Sequence, residues 1–395
     1  MSPAGISDFK PRLVEWFLLL PSFIVAATPF EIAEDPAAVG FATLVRTIAA
    51  VIILVVLVLR YSASLRLRAT ILAAIIPVYF LALNTEAFTY TAVMAATTIG
   101  AGAIITSLSE NARRALAFCM GGYLVFHLFG LILAVVLLAA TGTIVDLHHL
   151  IFPVSVSRAG LFIHQVRLSG FHIEPGTYAN ATYLVVFARA LLNSKLFDRL
   201  GLIAVASTLA TLSAWALIGA VAYALSALME FIFKTPKISL MARVSAVTGA
   251  LAAYAFVVPS ALVTTRDQSI ARYFETRFRM DPSGGSIVDK NRALEAWLHA
   301  MENWPALGHP LPQSFCDYCA SPQDLGAVFN LIYYLGIPAS FLIIGVAIAR
   351  LTNIWGFAFL VAAAPMIVSK FFFYDFVLWM PLGCMLLVRP QTQWK

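Results

Sequence analysis

Charge is scarce in this sequence. Only 12% of its 395 residues are Asp, Glu, Lys or Arg, against roughly 25% in an ordinary soluble domain, which excludes a chain solvated on all sides. Cysteine is sparse too, with four residues, so neither a disulfide framework nor a multi-cysteine zinc cluster carries the fold. A Walker loop, a dinucleotide glycine fingerprint and an Asp-x-Asp pair for a nucleotide-sugar donor are also missing. Apolar residues are abundant instead, at 61% with a mean hydropathy of +0.87. These values specify an all-α polytopic membrane protein, read as a single integral membrane domain over residues 1–395.

Apolar runs long enough to cross a hydrocarbon core about 30 Å thick number about twelve. They lie near 13–30, 38–59, 69–84, 87–108, 114–140, 175–193, 197–212, 213–233, 240–263, 325–349, 353–369 and 371–388. The first lacks a small-residue cleavage site and is read as a retained span. The seventh and eighth form one stretch, divided at "TLSAW" on length alone.

Short loops rich in Lys and Arg stay cytoplasmic. With the N-terminus inside, the inner segments hold Lys10 and Arg12; Arg60, Arg66 and Arg68; Arg113 and Arg114; Arg189, Lys195 and Arg199; Lys234, Lys237 and Arg243; Arg350; and Arg389 and Lys395. The net charge of +6 therefore needs no nucleic-acid partner. Two long segments fall on the outer side, 141–174 and 264–324, and loops of that length are usually functional or disordered. Within the second, "VDKNRALEAWLHAMENW" has an apolar stripe at Leu294, Trp297, Leu298 and Met301, with Arg292, Glu295 and His299 opposite and Asp289 as N-cap. That pattern predicts an amphipathic helix over the outer mouth of the bundle.

Several residues break the apolar pattern. Arg158, Arg167, Lys290 and Arg292 lie in the outer loops against the charge rule. Arg46 and His127 stand inside apolar runs, where an ionisable group needs a cavity or a partner; for Arg46 the choices are snorkelling or a place near lipid phosphates, and for His127 an interhelical hydrogen bond. Glu174 precedes Pro175 at a helix start, a position equally suited to capping and to accepting a proton. His309 in "PALGHPLP" is either a plain loop residue or a proton acceptor, and Asp324 either caps the next helix or takes part in chemistry. His164 and His172 are read as interfacial packing residues. Cys316 and Cys319 form "CDYC" in the outer loop, a local disulfide candidate rather than a zinc site, and no metal or cofactor is expected.

The stretches "RLSGFHIEPGTYANATYLV", "TLSAW", "NRALEAWLHAMENWPALGHP" and "SPQDLGAVFNLIYYLGIPASFL", in that order and on one side, resemble the O-antigen polymerase and ligase superfamily of bacterial envelope glycosyltransferases. The resemblance implies a GT-C-like fold in the bacterial inner membrane and metal-independent transfer of a glycan from an undecaprenyl-diphosphate carrier. Basic residues would handle the diphosphate, Arg167 and Arg292 of the outer loops first, then Arg158 and Lys290 of the same loops and Arg46 of the second span, with Glu174, His309 and Asp324 as catalytic candidates. The ligase branch carries a His-Asn pair near the tenth span, where this chain has Leu325, a departure that favours a polymerase acting on lipid-linked repeats beside a flippase and a chain-length regulator. A ligase that moves the glycan to lipid A-core or a protein, and a transporter or flippase of an anionic lipid-linked substrate, are the alternatives.

Overall fold

The computed structural model describes residues 11–30, 36–61, 109–153, 160–162, 165–234, 286–302, 308, 325–369 and 375–387. The expected spans 69–84, 87–108 and 240–263 lie outside them, as do Arg158, His164, His309, Asp324, Cys316 and Cys319. The described residues are overwhelmingly helical. A π-helical turn, Glu15–Leu19, leads into α1 (Leu20–Ala27). Then come α2 (Pro36–Tyr61), α3 (Glu110–Thr141) and the short α4 (Leu147–Ile151). A hairpin of two three-residue strands, β1 (Gly160–Phe162) and β2 (Gln165–Arg167), pairs Gly160 with Arg167. After it follow α5 (Pro175–Asn193), α6 (Arg199–Thr208), α7 (Ala214–Lys234), α8 (Ser286–Met301), α9 (Ala327–Arg350), α10 (Phe357–Ala363) and α11 (Phe376–Leu387).

Four of these helical stretches are long and apolar enough to cross a membrane: Gly40–Tyr61, Glu110–Thr141, Trp215–Ile232 and Ala327–Trp355. Their lipid-compatible faces carry exposed large apolar residues such as Leu59, Phe129, Phe231 and Leu342. α5 has the length but is less apolar. Tyr178, Asn180 and Thr182 interrupt its hydropathy, and they are tolerated because α5 is buried on nearly every side. It packs on α3, α6, α7 and α11 and is the central post of the bundle.

Local sequence sets the ends of these elements. Pro175, with no N–H to lose, opens α5, and Ser194 closes it in the left-handed region at φ 50°. Asp198 caps α6 by accepting from the Gly201 amide at 2.7 Å. The run 197–233 breaks where "TLSAW" stands: α6 passes through a 3-10 turn, Leu212 turns left-handed, and α7 begins at Ala214. A second break lies inside α9, where Gly336 adopts φ 75° and Pro338 follows. Gly308 seats against it so closely that a Cβ there would stand 2.3 Å from the Tyr334 carbonyl oxygen.

α8 departs from its predicted orientation. The helix starts at Ser286, so Asp289 lies inside its first turn rather than at the N-cap. Ala293 and Met301 are buried, and the Trp297 indole donates to the Phe329 carbonyl at 3.3 Å. Leu294 and Leu298 stay exposed. The buried ridge therefore runs 293, 297, 301 at i, i+4 spacing; alanine at 293 brings the backbones closer than leucine could.

Candidate functional site

The segment between β2 and α5 does not lie over the bundle as a solvated loop. Leu168, Ser169, Phe171, His172 and Ile173 are all buried. The contact with α3 is made by two glycines. A Cβ on Gly170, which has φ 57°, would meet the Leu131 backbone nitrogen at 2.7 Å, and one on Gly130 would overlap the Phe171 ring at 2.4 Å. Gly130 is about eleven residues from the end of α3, so at 1.5 Å per residue the segment docks about 17 Å down that helix. Phe171 stacks on Phe126 with ring centroids 4.6 Å apart.

Backbone geometry then carries His172 into the interior. Its amide donates to the Ser169 carbonyl at 3.0 Å, which tightens the turn, and its Nε2 is 3.1 Å from the Tyr123 hydroxyl of α3. His127, one turn further along α3, lies with its ring centroid 4.1 Å from that of His172. The Thr28 hydroxyl at the end of α1 donates to the Ile24 carbonyl at 2.7 Å, so it accepts from His127 Nε2–H at 2.9 Å. His127 thus has the interhelical partner expected of it. His148 on α4 completes the cluster by donating from Nδ1 to the Phe171 carbonyl at 2.9 Å. Burial, and then the neighbouring His127 and His148, hold the pKa of His172 well below the ordinary histidine range.

The sequence-predicted residues are distributed around this cluster. Arg46 is fully buried on α2 and paired with Asp375, the residue before α11, with each side chain 1% exposed. Its charge also reaches Tyr123. Glu174 occupies the N-cap position of α5, but its carboxylate accepts no capping hydrogen bond. That carboxylate and the Ser213 hydroxyl lie 3.4 Å and 3.8 Å from where a Gly176 Cβ would stand. Ser213 accepts from the Trp215 amide at 3.3 Å and so caps α7. Glu174 is therefore placed where two helix N-termini, those of α5 and α7, open side by side, an electrostatic setting that favours an anion.

Arg167 ends β2, partly exposed, on the same docked segment as Glu174. Arg292 is exposed on α8 and makes no ion pair among the described residues. No hydrogen bond or ion pair joins it to Arg167 or Glu174. Lys290 belongs to the backbone of α8, while its side chain lies outside the described residues. Tyr123, Thr28, Ser213 and Asp375 are the members that the sequence did not announce. Asp375 left one signal: it is an acid inside "FFFYDFVLWM", as anomalous there as Arg46 in its own run. No group of three or more His, Cys, Asp or Glu suited to a metal occurs among the described residues. No protein-family profile, curated protein or solved structure matches this chain.

Proposed function

We propose that this chain is an inner-membrane glycosyltransferase of about twelve spans with a GT-C-like plan, polymerising undecaprenyl-diphosphate-linked oligosaccharides on the periplasmic face. One observation carries the reading: a carboxylate not used as a cap, Glu174, stands where the N-termini of α5 and α7 open together, on the same docked segment as Arg167. An acceptor sugar hydroxyl would give its proton to Glu174 as its oxygen bonds to the anomeric carbon of the donor. The bond from that carbon to the carrier diphosphate breaks, and the diphosphate leaves with the electron pair. Guanidinium groups match phosphate oxygens in bidentate fashion and keep their charge, which suits Arg167, and the exposed Arg292, to the leaving group. Flippase and chain-length regulator are the expected partners.

Polymerisation of purified lipid-linked repeats in the presence of chelator tests the proposal. Arg167→Ala should slow polymer formation by roughly 30-fold to 1000-fold, the effect of losing one charge-assisted contact in a transition state. Arg167→Lys should recover part of it, and Glu174→Gln should be impaired although it folds normally. Full activity in Arg167→Ala and Glu174→Gln would overturn the site, and a strict metal requirement would overturn the chemistry. Transfer to lipid A-core instead of a second repeat would identify a ligase. A transporter reading gains from one observation, the helix breaks at Leu212 and Gly336, since transporters use broken helices to bind substrate; substrate movement across proteoliposomes without a new glycosidic bond would establish it.

A further inference from the structure

Three histidines from three parts of the chain converge on the docked segment 165–174, and their bonds have a common requirement. Each holds a different layer: His172 reaches Tyr123, His127 reaches Thr28, and His148 holds the Phe171 carbonyl. All three are buried, at 1% exposure or less. An imidazolium placed there would lose its hydration, and two of them with ring centroids 4.1 Å apart would repel in a poorly screened interior.

The groups facing the cluster offer no compensation. α3 contributes the Tyr123 phenol and α5 the Tyr178 phenol, whose ring centroid lies 5.5 Å from that of His172; α1 contributes only the neutral Thr28. Full charges come as the Arg46–Asp375 pair from α2 and the start of α11, in which the carboxylate is already engaged by the guanidinium, and as Asp146 before α4, whose carboxylate caps that helix by accepting from the His149 amide at 3.0 Å. The segment itself adds Arg167 and Glu174 at its two ends, the second beside α7 rather than the rings. The glycine contacts at Gly130 and Gly170 hold the segment by close fit alone and add no titratable group.

We infer that His127, His148 and His172 form an acid-sensitive latch, which keeps segment 165–174 docked against α3 while the three rings are neutral and lets it go when they take up protons. The inference concerns the docking of the segment and does not depend on which reaction the protein performs. The direction follows from proton linkage. Once the segment undocks, His172 titrates near the ordinary histidine pKa of about 6.5, whereas docked it resists protonation. The undocked state therefore binds more protons, so docking is stable above that pH and is lost as pH falls below it.

The test is hydrogen–deuterium exchange of the full chain in lipid nanodiscs without substrate, followed over peptides covering 168–174 and corrected for the intrinsic pH dependence of exchange. Protection of the segment should fall at least about tenfold between about pH 7.5 and about pH 5, across the titration range of histidine, while peptides from the middle of α5 stay protected. His172→Gln and His127→Gln keep a hydrogen-bonding group but cannot take up a proton, and each should flatten the pH dependence. Protection of wild-type 168–174 that is unchanged over this range overturns the latch without reference to any variant. So does a folded double glutamine variant that keeps the full pH response. Neither result bears on glycosyl transfer, which the polymerisation assay decides separately.

Discussion

The two ends of the bundle bury polar groups by opposite means. At the end where α2 finishes and α3 begins, acids meet partly exposed bases, and one of the acids, Glu15, is itself fully buried. Glu15 takes the Arg12 amide, the Tyr61 hydroxyl and, at 3.1 Å, the Arg60 guanidinium. Arg114 pairs with Glu110 at 3.3 Å, and Arg189 pairs with Asp198. At the other end, the segment that enters the protein carries His172 and Ser169, meets His127 of α3 and His148 of α4, and packs through Gly170 against Gly130 and Leu131 of α3. Partly exposed charges share their fields with water, so Arg114 and Arg189 need only partners nearby in sequence, while the buried Glu15 draws on Arg12, Tyr61 and Arg60. The second end lies away from water and uses neutral groups: His172 bonds to Tyr123 of α3, His127 to Thr28 after α1 and His148 to the backbone of the docked segment, while Ser169 Oγ and the Nδ1 atoms of His127 and His172 are buried without a hydrogen bond among the described residues. Arg46–Asp375 is the exception in the interior, and it is an exception only in being a fully formed pair.

The largest effect should come from breaking that pair. Arg46→Ala takes the guanidinium away from the buried Asp375 carboxylate, which should cost about 3–5 kcal/mol in detergent unfolding, whereas Arg46→Leu combined with Asp375→Leu should recover most of the loss. A single variant as mild as a surface substitution would show that the pair is solvated. Next come the close backbone contacts. Gly308→Ala and Gly170→Ala place a methyl against backbone atoms at 2.3 Å and 2.7 Å and at positive φ, and each should lower unfolding stability by about 1–3 kcal/mol; an unchanged midpoint for Gly170→Ala would mean that the segment does not dock on Leu131.

At the charged end the changes should be smaller. Asp198→Ala removes both the α6 cap and the partner of Arg189 and should cost about 0.5–2 kcal/mol by thermal unfolding. Arg114→Ala removes an i, i+4 pair that is 25% and 43% exposed and should cost no more than about 0.5 kcal/mol, falling further in high salt. If Arg114→Ala destabilised as much as Arg46→Ala, the contrast between the two ends would be lost.

Much of the helical framework could be read along the chain because its signals are local. Proline after Glu174 and the polar "NSK" after Leu192 bound α5 at the residues expected, and the division at "TLSAW" coincides with a true break. The rotation of α8 could not be read, since Leu294 and Ala293 are both compatible with an apolar stripe and only the approach of α9 chooses between them. Glu174 shows the same division. Its place at a helix start is visible in "EPG", but that its carboxylate is not used as a cap and lies toward Ser213 depends on where α7 begins.

By itself the sequence determined the membrane class, the apolar helices and the turns that end them, because burial of long apolar runs and the backbone limits of proline and glycine act within a few residues. Tertiary structure alone decided that Arg46 meets Asp375, 329 positions away, that His127 meets Thr28 and that His172 enters beside Tyr123. A buried polar group must find its partner wherever packing brings one. Between helices with interchangeable apolar faces, that place is settled by shape, here by glycines small enough to let a segment of backbone lie against α3.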